Sequence, residues 1–221
     1  MNEPKKKNHA KTVLYIVIFT ILYGIISFTV RKVTSPASEA GSMMQVNEQM
    51  AREIETAKSE ATKDKSASEI LREKSTQKMN ETLDSASSPK KKKSEAAAIF
   101  LGAYFLNTQA RPAYCQSLGV SIDSFTTAYR KRHADLLPIA KASIEERLRE
   151  SGSHHDMDDY ARSISPSLNQ AVSLDMKDLS FKWKMTEKEA CGVLEAKAYE
   201  IVDLMDLRKA MPKVTGILAE G

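Results

Sequence analysis

The segment from Thr12 to Val30, TVLYIVIFTILYGIISFTV, contains no charged residue and consists mainly of Ile, Val, Leu, Phe and Tyr. At about 1.5 Å per residue, a helix of this length reaches about 28 Å, close to the hydrocarbon thickness of a bilayer. A soluble domain would have to bury such a helix on every side, and no other stretch of the chain is apolar enough to surround it. The segment is therefore predicted to be a transmembrane helix that tethers the rest of the chain.

The charges beside this helix predict its orientation. The tail formed by residues 1–11 holds four lysines, whereas only Arg31 and Lys32 follow the apolar segment closely. Because cytoplasmic flanks are enriched in Lys and Arg, the N-terminus is predicted to be cytoplasmic and the remainder extracytoplasmic. This topology is that of a single-pass protein of the bacterial inner membrane with its C-terminal domain in the periplasm.

A cleaved signal peptide is the alternative interpretation of the same segment. Small residues around Ala37 and Ala40 offer cleavage sites. However, the apolar run is longer than the roughly 7–15 residues of a signal peptide core, and Arg31 and Lys32 precede any cleavage site. We therefore expect residues 12–30 to be an uncleaved signal anchor.

The net charge of +4 is concentrated next to the membrane segment. Residues 1–32 carry six basic side chains and one acidic side chain, whereas residues 96–221 carry 16 basic and 17 acidic ones. A nearly neutral domain lacks the basic surface that nucleic-acid binding requires, which excludes that class of partner. The basic flank instead suits anionic lipid headgroups.

Residues 31–94 are predicted to be a charged stalk, helical or partly disordered, that ends in a flexible linker. Apolar side chains recur at helical spacing in part of this stalk, namely at Met43, Val46, Met50, Ile54, Ala57 and Ala61. This stripe covers about two heptads, fewer than a stable coiled coil needs, so at most a weak homodimer is expected. The stretch from Asp84 to Ser94, DSASSPKKKKS, has no large apolar residue and is typical of a linker.

Residues 95–221 are predicted to form one all-α bundle of about five helices without strands. The stretch that begins at Glu95, EAAAIFLGAYFLNTQA, is very apolar but too short to span a membrane, which indicates a buried core helix. Gly119 is a predicted helix end, and Pro138 and Pro166 are predicted helix breaks.

The last predicted helix has the clearest start signal in the chain. Thr186 and Glu189 match a capping box, TEKE, and apolar residues follow at helical spacing. This helix is predicted to end at Met211 and Pro212, leaving KVTGILAEG as a short tail.

Cys115 and Cys191 are the two cysteines of the chain, and both lie in the domain predicted to be periplasmic. An even number of cysteines in an oxidising compartment predicts a disulfide, here between the first helices of the bundle and the last. The alternative is that both are small buried apolar residues. Their spacing matches neither a CxxC motif nor a metal site, which argues against redox catalysis.

Few residues suggest chemistry. The sequence HHDMDD at 154–159 is a dense group of metal-ligand types, but adjacent loop residues rarely converge on one ion, and Asp156 or Asp158 is better explained as a helix N-cap. His133 is predicted to lie on a charged helix surface. No catalytic, cofactor-binding or metal-binding residue is predicted, because the sequence has no phosphate loop, nucleophile elbow or HExxH motif.

Phe181 and Trp183, which alternate with Lys182 and Lys184, form the candidate interaction surface. In the alternative interpretation, Trp183 packs in the core while the lysines point to solvent.

These features predict a non-enzymatic, membrane-anchored protein that presents a disulfide-stabilised helical domain in the periplasm for protein–protein interaction or envelope assembly. Its predicted partners are the bilayer, through Thr12 to Val30, and a protein of the envelope. One alternative is a sensory or small-ligand-binding module with a pocket lined by Tyr104, Tyr114 or Tyr129. A less favoured alternative is a membrane-bound hydrolase centred on residues 154 and 155.

Overall fold

The computed structural model describes residues 52–62, 65–152 and 156–220, and these residues form helices without any strand. The predicted all-α class is confirmed for this part of the chain. Residues 1–51, which include the predicted transmembrane helix, lie outside the described residues, as do His154 and His155. Among the described helices, none is both long and apolar enough to cross a membrane.

Short turns divide the described residues into more helices than the five predicted for residues 95–221. The elements are α1 (52–60), α2 (Ala67–Ser85), α3 (Pro89–Phe105), a π-helix (Leu106–Ala110), α4 (Arg111–Ser117), α5 (Asp123–Arg132), α6 (Leu136–Glu150), α7 (Met157–Trp183), α8 (Glu187–Ala196), α9 (Ala198–Leu204), α10 (Leu207–Ala210) and α11 (Pro212–Ala219). The predicted last helix is interrupted by turns at Lys197 and Met205, which separate α8, α9 and α10.

Helix α3 lies at the centre of the bundle. Every residue from Ala96 to Phe105 is buried, and α2, α6, α7 and α11 all pack against this helix. A helix that is apolar on all sides is stable in water only when other elements surround it. The prediction of a buried core helix in this stretch is therefore confirmed.

The start of α3 replaces the linker predicted for residues 84–94. Ser88 caps the helix by accepting a hydrogen bond from the Lys91 amide, and Pro89 occupies the first helical position, where its missing N–H costs nothing. Ser94 is already buried. The four lysines thus lie on the first turns of a helix rather than in a flexible linker.

Helix α2 packs on the bundle, so the folded part begins upstream of residue 95. Its inward-facing apolar side chains are Ile70, Leu71, Met79 and Leu83. Two ion pairs connect its ends to the bundle, Glu69 with Lys182 at 3.0 Å and Asp84 with Lys213 at 2.6 Å. Residues 67–94, which were predicted to belong to the stalk and linker, are therefore helices of the packed structure.

The prolines do not break helices where the sequence predicts. Helix α7 continues through Pro166, whose ring is exposed, so the predicted break at this position is wrong. The break predicted at Pro138 occurs instead at residues 133–135, which leaves Pro138 in the first turn of α6, where proline is tolerated.

The predicted C-terminal tail is helix α11. Pro212 is its first residue, and Val214 and Leu218, four residues apart, are fully buried against the bundle. The stretch is short, but its apolar spacing is helical, and packing on α3 and α6 supplies the stability that so short a helix lacks alone.

The capping residues predicted for the starts of α7 and α8 are confirmed. Thr186 and Glu189 form a reciprocal capping box at the start of α8, and Asp156 caps α7 in the same way with Asp159. Gly119 follows α4 with a φ of +75°. These short-range signals are readable because each involves residues that are close together in the sequence.

Lys184, the C-cap of α7, has a φ of +55° and is the single described non-glycine residue with a positive φ. Because this conformation brings Cβ close to the backbone, we expect Lys184→Gly to raise the free energy of unfolding by about 0.5–1 kcal/mol. Urea denaturation measures the change. Lys184→Ala is the matched control and should give no gain, since alanine retains Cβ; equal gains for both variants would contradict the explanation.

Candidate functional site

The π-helix from Leu106 to Ala110 positions the main buried polar cluster. Its amide–carbonyl bond from Arg111 to Leu106 spans five residues. Pro112 explains the wider turn, because it has no N–H and its ring would collide with the carbonyl of Thr108 in a regular α-helix. That carbonyl instead accepts a hydrogen bond from Arg130 Nη2 at 3.4 Å. π-helices of one turn are frequent at functional sites, which makes this cluster the first candidate.

Arg111 is the centre of this cluster and is completely buried. Its Nη2 donates to Asp175 Oδ2 at 2.7 Å, its Nε donates to Asn107 Oδ1 at 3.0 Å, and its Nη1 lies 3.2 Å from Met176 Sδ. The guanidinium therefore joins the π-helix to the middle of α7. Buried charges are tolerated only when paired and hydrogen-bonded in this way.

Tyr129 extends the buried polar cluster to α5. Its hydroxyl accepts a hydrogen bond from Asn107 Nδ2 at 3.3 Å, and burial raises the pKa of Tyr129. The ring packs 4.5 Å from the imidazole of His133 and 6.3 Å from the ring of Tyr104, measured between centroids. A buried hydroxyl with a raised pKa stays protonated, so Tyr129 acts here as a neutral hydrogen-bonding group.

His133 is fully buried, so the prediction of a surface position is wrong. Nδ1 lies 3.0 Å from the Tyr129 carbonyl oxygen, and the Leu207 amide donates to Nε2 at 3.0 Å. An amide N–H can only donate, so Nε2 accepts and the proton of the neutral imidazole lies on Nδ1. Burial lowers the pKa of His133, although Asp206 Oδ1 at 3.5 Å favours the charged form.

The lowered pKa of His133 predicts that stability depends on pH. In the unfolded chain the imidazole takes up a proton near pH 6.5, whereas the buried imidazole does so only at lower pH. We therefore expect the contribution of His133 to be complete above about pH 6.5 and to be lost as the pH falls through the lower pKa of the folded state. Urea unfolding at a series of pH values measures this change.

His133→Gln is the comparison for this prediction, because its side-chain oxygen can accept the Leu207 amide without titrating. Its free energy of unfolding should change less between pH 7 and 5 than that of the wild type. Replacing both His154 and His155 with alanine controls for the other histidines of the domain. A His133→Gln profile parallel to the wild type would contradict the assignment.

Cys115 and Cys191 form a disulfide, which confirms the prediction. The sulfur atoms are 2.06 Å apart, the Cα atoms are 5.7 Å apart, and both residues are fully buried. The bond joins α4 to α8, and next to it the Tyr114 hydroxyl donates to the Glu187 carboxylate. Burial shields the sulfur atoms from thiols in solution, which is typical of a structural rather than a catalytic disulfide.

A second buried polar cluster joins α3, α6 and α7. Arg147 Nη1 donates to Ser94 Oγ at 3.1 Å and lies 3.7 Å from Glu95 Oε1. The Tyr160 hydroxyl is buried beside them without a hydrogen-bond partner, and burial raises its pKa. The arginine compensates the charge of a buried carboxylate, so the cluster has a clear structural role.

A groove of about 170 Å³ separates α1 from α2. It is lined by Glu53, Thr56, Leu71, Lys74, Ser75 and Lys78. Its two lysines are paired, with Glu60 at 2.7 Å and with Glu53 at 3.2 Å. Pockets that bind drug-sized ligands measure about 300–1,000 Å³, so the groove offers little support for a ligand site.

The tyrosines named for a ligand pocket lie within the described residues, whereas residues 154 and 155 do not. Tyr104 and Tyr129 pack against each other and Tyr114 bonds to Glu187, so each tyrosine named for the ligand pocket has another contact. No group of three or more His, Cys, Asp or Glu side chains in this part of the chain is placed to bind a metal ion. Asp156, a candidate N-cap, does cap α7.

The structure separates the two aromatic residues of the candidate interaction surface. Phe181 is 82 % exposed, whereas Trp183 is half-buried and packs against the core with its indole nitrogen enclosed. Lys182, between them, turns inward to Glu69 and Asp178. The exposed ring available to a partner is therefore that of Phe181.

Sequence reasoning missed Asn107, Arg111 and Asp175. A usable signal existed, because Asn107 and Arg111 are four residues apart and directly follow an apolar stretch that must be buried. Polar side chains at that spacing share a helix face and can pair with each other. Their partner on α7 could not have been identified, since contacts between distant segments are not encoded in local spacing.

No known protein family, curated protein or solved structure matches the chain. Function must therefore be argued from the residues themselves. The buried polar clusters are internal and satisfied mainly by protein groups, whereas the exposed aromatic rings of Phe181 and Tyr199 are available to other molecules.

Proposed function

We propose that the chain is a single-pass protein of the bacterial inner membrane that presents its helical domain in the periplasm to another envelope protein. The observation that carries this proposal is the buried disulfide between Cys115 and Cys191. Structural disulfides form and persist in oxidising compartments, of which the periplasm is one, and are rare in the cytoplasm. The apolar segment from Thr12 to Val30 supplies the membrane attachment, with lysines on its cytoplasmic side.

The proposed mechanism is positional. A membrane anchor confines the domain to a layer beside the bilayer, which raises its effective concentration near a membrane-bound partner. The disulfide and the central helix α3 keep the helical surface in one arrangement, so less conformational entropy is lost on binding. Exposed aromatic rings such as those of Phe181 and Tyr199 are apolar contacts that the described part of this domain offers.

Thiol labelling of the chain produced in bacterial cells tests the compartment. Cys115 and Cys191 are the two cysteines of the chain, so a maleimide polymer added after denaturation should add mass only when a reductant is present. The same chain without residues 1–32, retained in the cytoplasm, is the control and should be labelled without reductant. Labelling of the full chain without reductant would contradict both the disulfide and the periplasmic topology.

Photo-crosslinking in living cells tests the protein partner. A photoreactive residue at exposed positions such as Tyr199 should give a discrete adduct with an envelope protein, and the crosslinked positions would identify the face that binds it. The same residue at the buried position Leu101 is the matched control and should give no adduct. If no exposed position yields an adduct, the interaction function is contradicted while the membrane topology still stands.

A further inference from the structure

The end of α7 and the start of α8 carry an exposed aromatic ring among lysines. Phe181 is 82 % exposed, and Lys177 precedes it by four residues on the same helix face. Lys184 follows at the C-cap of α7, and Lys188 lies in the first turn of α8. All three lysines are exposed. These four residues are defined here as the Phe181 surface.

The lysines of the Phe181 surface are not paired with carboxylates inside the described part of the chain. Their amines make no hydrogen bond or ion pair within the described part of the chain. Lys182 behaves differently, since its Nζ lies 3.0 Å from Glu69 and 2.9 Å from Asp178. Two acidic residues flank Lys188: Glu187 accepts a hydrogen bond from the Tyr114 hydroxyl, and Glu189 is engaged in the capping box with Thr186. The three lysines outnumber these two carboxylates, so the surface has a small excess of positive charge around an apolar ring.

We propose that the Phe181 surface docks on the anionic phospholipid headgroups of the bilayer that anchors the chain. Lysine is depleted in protein–protein interfaces, where arginine is enriched, and this surface has three lysines and no arginine. Lysine together with phenylalanine is instead typical of segments that lie at a membrane interface. The lysines would attract the headgroups, and the Phe181 ring would enter the boundary of the acyl region.

The inference rests on the proposed function, which holds the domain beside a bilayer. Residues 31–51 lie between the proposed membrane helix and α1, and a chain of that length can span up to about 70 Å when extended. The Phe181 surface can therefore reach the membrane, and tethering makes even weak docking effective. Docking would fix which side of the bundle faces away from the bilayer toward a protein partner.

Quenching of tryptophan fluorescence by brominated lipids tests the contact, because Trp183 is the one tryptophan of the chain. In a full-length Trp183→Phe background, Phe181→Trp reports on the proposed surface. Tyr199→Trp is the matched control, since Tyr199 is also an exposed aromatic, at 77 %, but lies on α9. Both proteins are reconstituted into liposomes that carry the brominated lipids. One set of liposomes contains phosphatidylglycerol, and the other contains only phosphatidylcholine.

In phosphatidylglycerol liposomes, quenching of the Phe181→Trp protein should exceed that of the Tyr199→Trp protein by at least about twofold. The difference should disappear in phosphatidylcholine and when Lys177, Lys184 and Lys188 are all replaced by glutamate. The unmodified Trp183 gives a second readout that needs no change in the core. Its quenching should fall when the same three lysines are replaced.

Equal quenching of the two variants in anionic liposomes would overturn the lipid contact. A protein adduct from a photoreactive residue at Phe181 would also overturn it, in favour of a protein contact. Neither result affects the membrane anchor, provided that the chain floats with the liposomes. A chain that does not float with them would instead contradict the proposed function itself.

Discussion

Replacing both Cys115 and Cys191 with alanine should lower the free energy of unfolding by about 4–5 kcal/mol. The bond closes a segment with a sequence separation of 76, and in the chain-entropy model the unfolded chain gains that amount of freedom when the crosslink is lost. The total stability of a domain is about 5–15 kcal/mol, so a large fraction of it depends on this one bond. Alanine is preferred to serine because both positions are fully buried and a hydroxyl there would lack water.

Urea denaturation followed by circular dichroism measures this change. The wild-type chain in the presence of a reductant should lose a similar amount of stability, which separates loss of the bond from loss of the sulfur atoms. Replacing Ala128, a buried small residue on α5, with glycine gives a control for small core changes and should cost much less. If the double alanine variant lost no more stability than the Ala128→Gly variant, the crosslink would contribute little.

Asp175→Asn is expected to have an effect of similar size. The substitution keeps the shape of the side chain but leaves the charge of Arg111 uncompensated in the core. Breaking one side of a buried ion pair typically costs about 3–5 kcal/mol. We expect the free energy of unfolding to fall by that amount, with a lower midpoint in urea and an unchanged slope.

An exposed ion pair provides the matched control for Asp175→Asn. Arg132 and Asp203 are 2.6 Å apart, as close as the buried pair, but their side chains are 37 % and 47 % exposed. Asp203→Asn should therefore cost much less stability than Asp175→Asn. Adding Arg111→Met to Asp175→Asn should restore part of the lost stability, because the uncompensated charge is removed. Equal losses for the two aspartate variants would contradict the role assigned to burial.

Local signals in the sequence predicted the fold features that depend on neighbouring residues. The capping box at Thr186 and Glu189, the helix end at Gly119 and the core helix after Glu95 were all readable, because each involves a few adjacent residues or a continuous apolar run. The disulfide was predicted from a different argument, in which the predicted membrane topology implied an oxidising compartment.

Features that depend on long-range packing were missed. The turn at residues 133–135 carries His133 inward, although its neighbours in the sequence are charged. Helix α11 is stable because α3 and α6 cover it, and Pro166 stays inside α7 because its ring faces solvent on a long, well-packed helix. The pairing of Arg111 with Asp175 on α7 likewise depends on packing between distant segments. Tertiary packing can override local preference in each case.

The disulfide also determines how the domain would carry mechanical tension. A pull between the N-terminal side of the domain and its C-terminal side would pass along α3 to Cys115, cross the sulfur–sulfur bond to Cys191 and continue through α8. Helices α5, α6 and α7 lie between the two cysteines in the sequence, so the covalent path of the load does not include them. At about 3.4 Å per extended residue, the bond withholds about 260 Å of chain from stretching. An oxidised domain under tension would therefore extend far less than a reduced one.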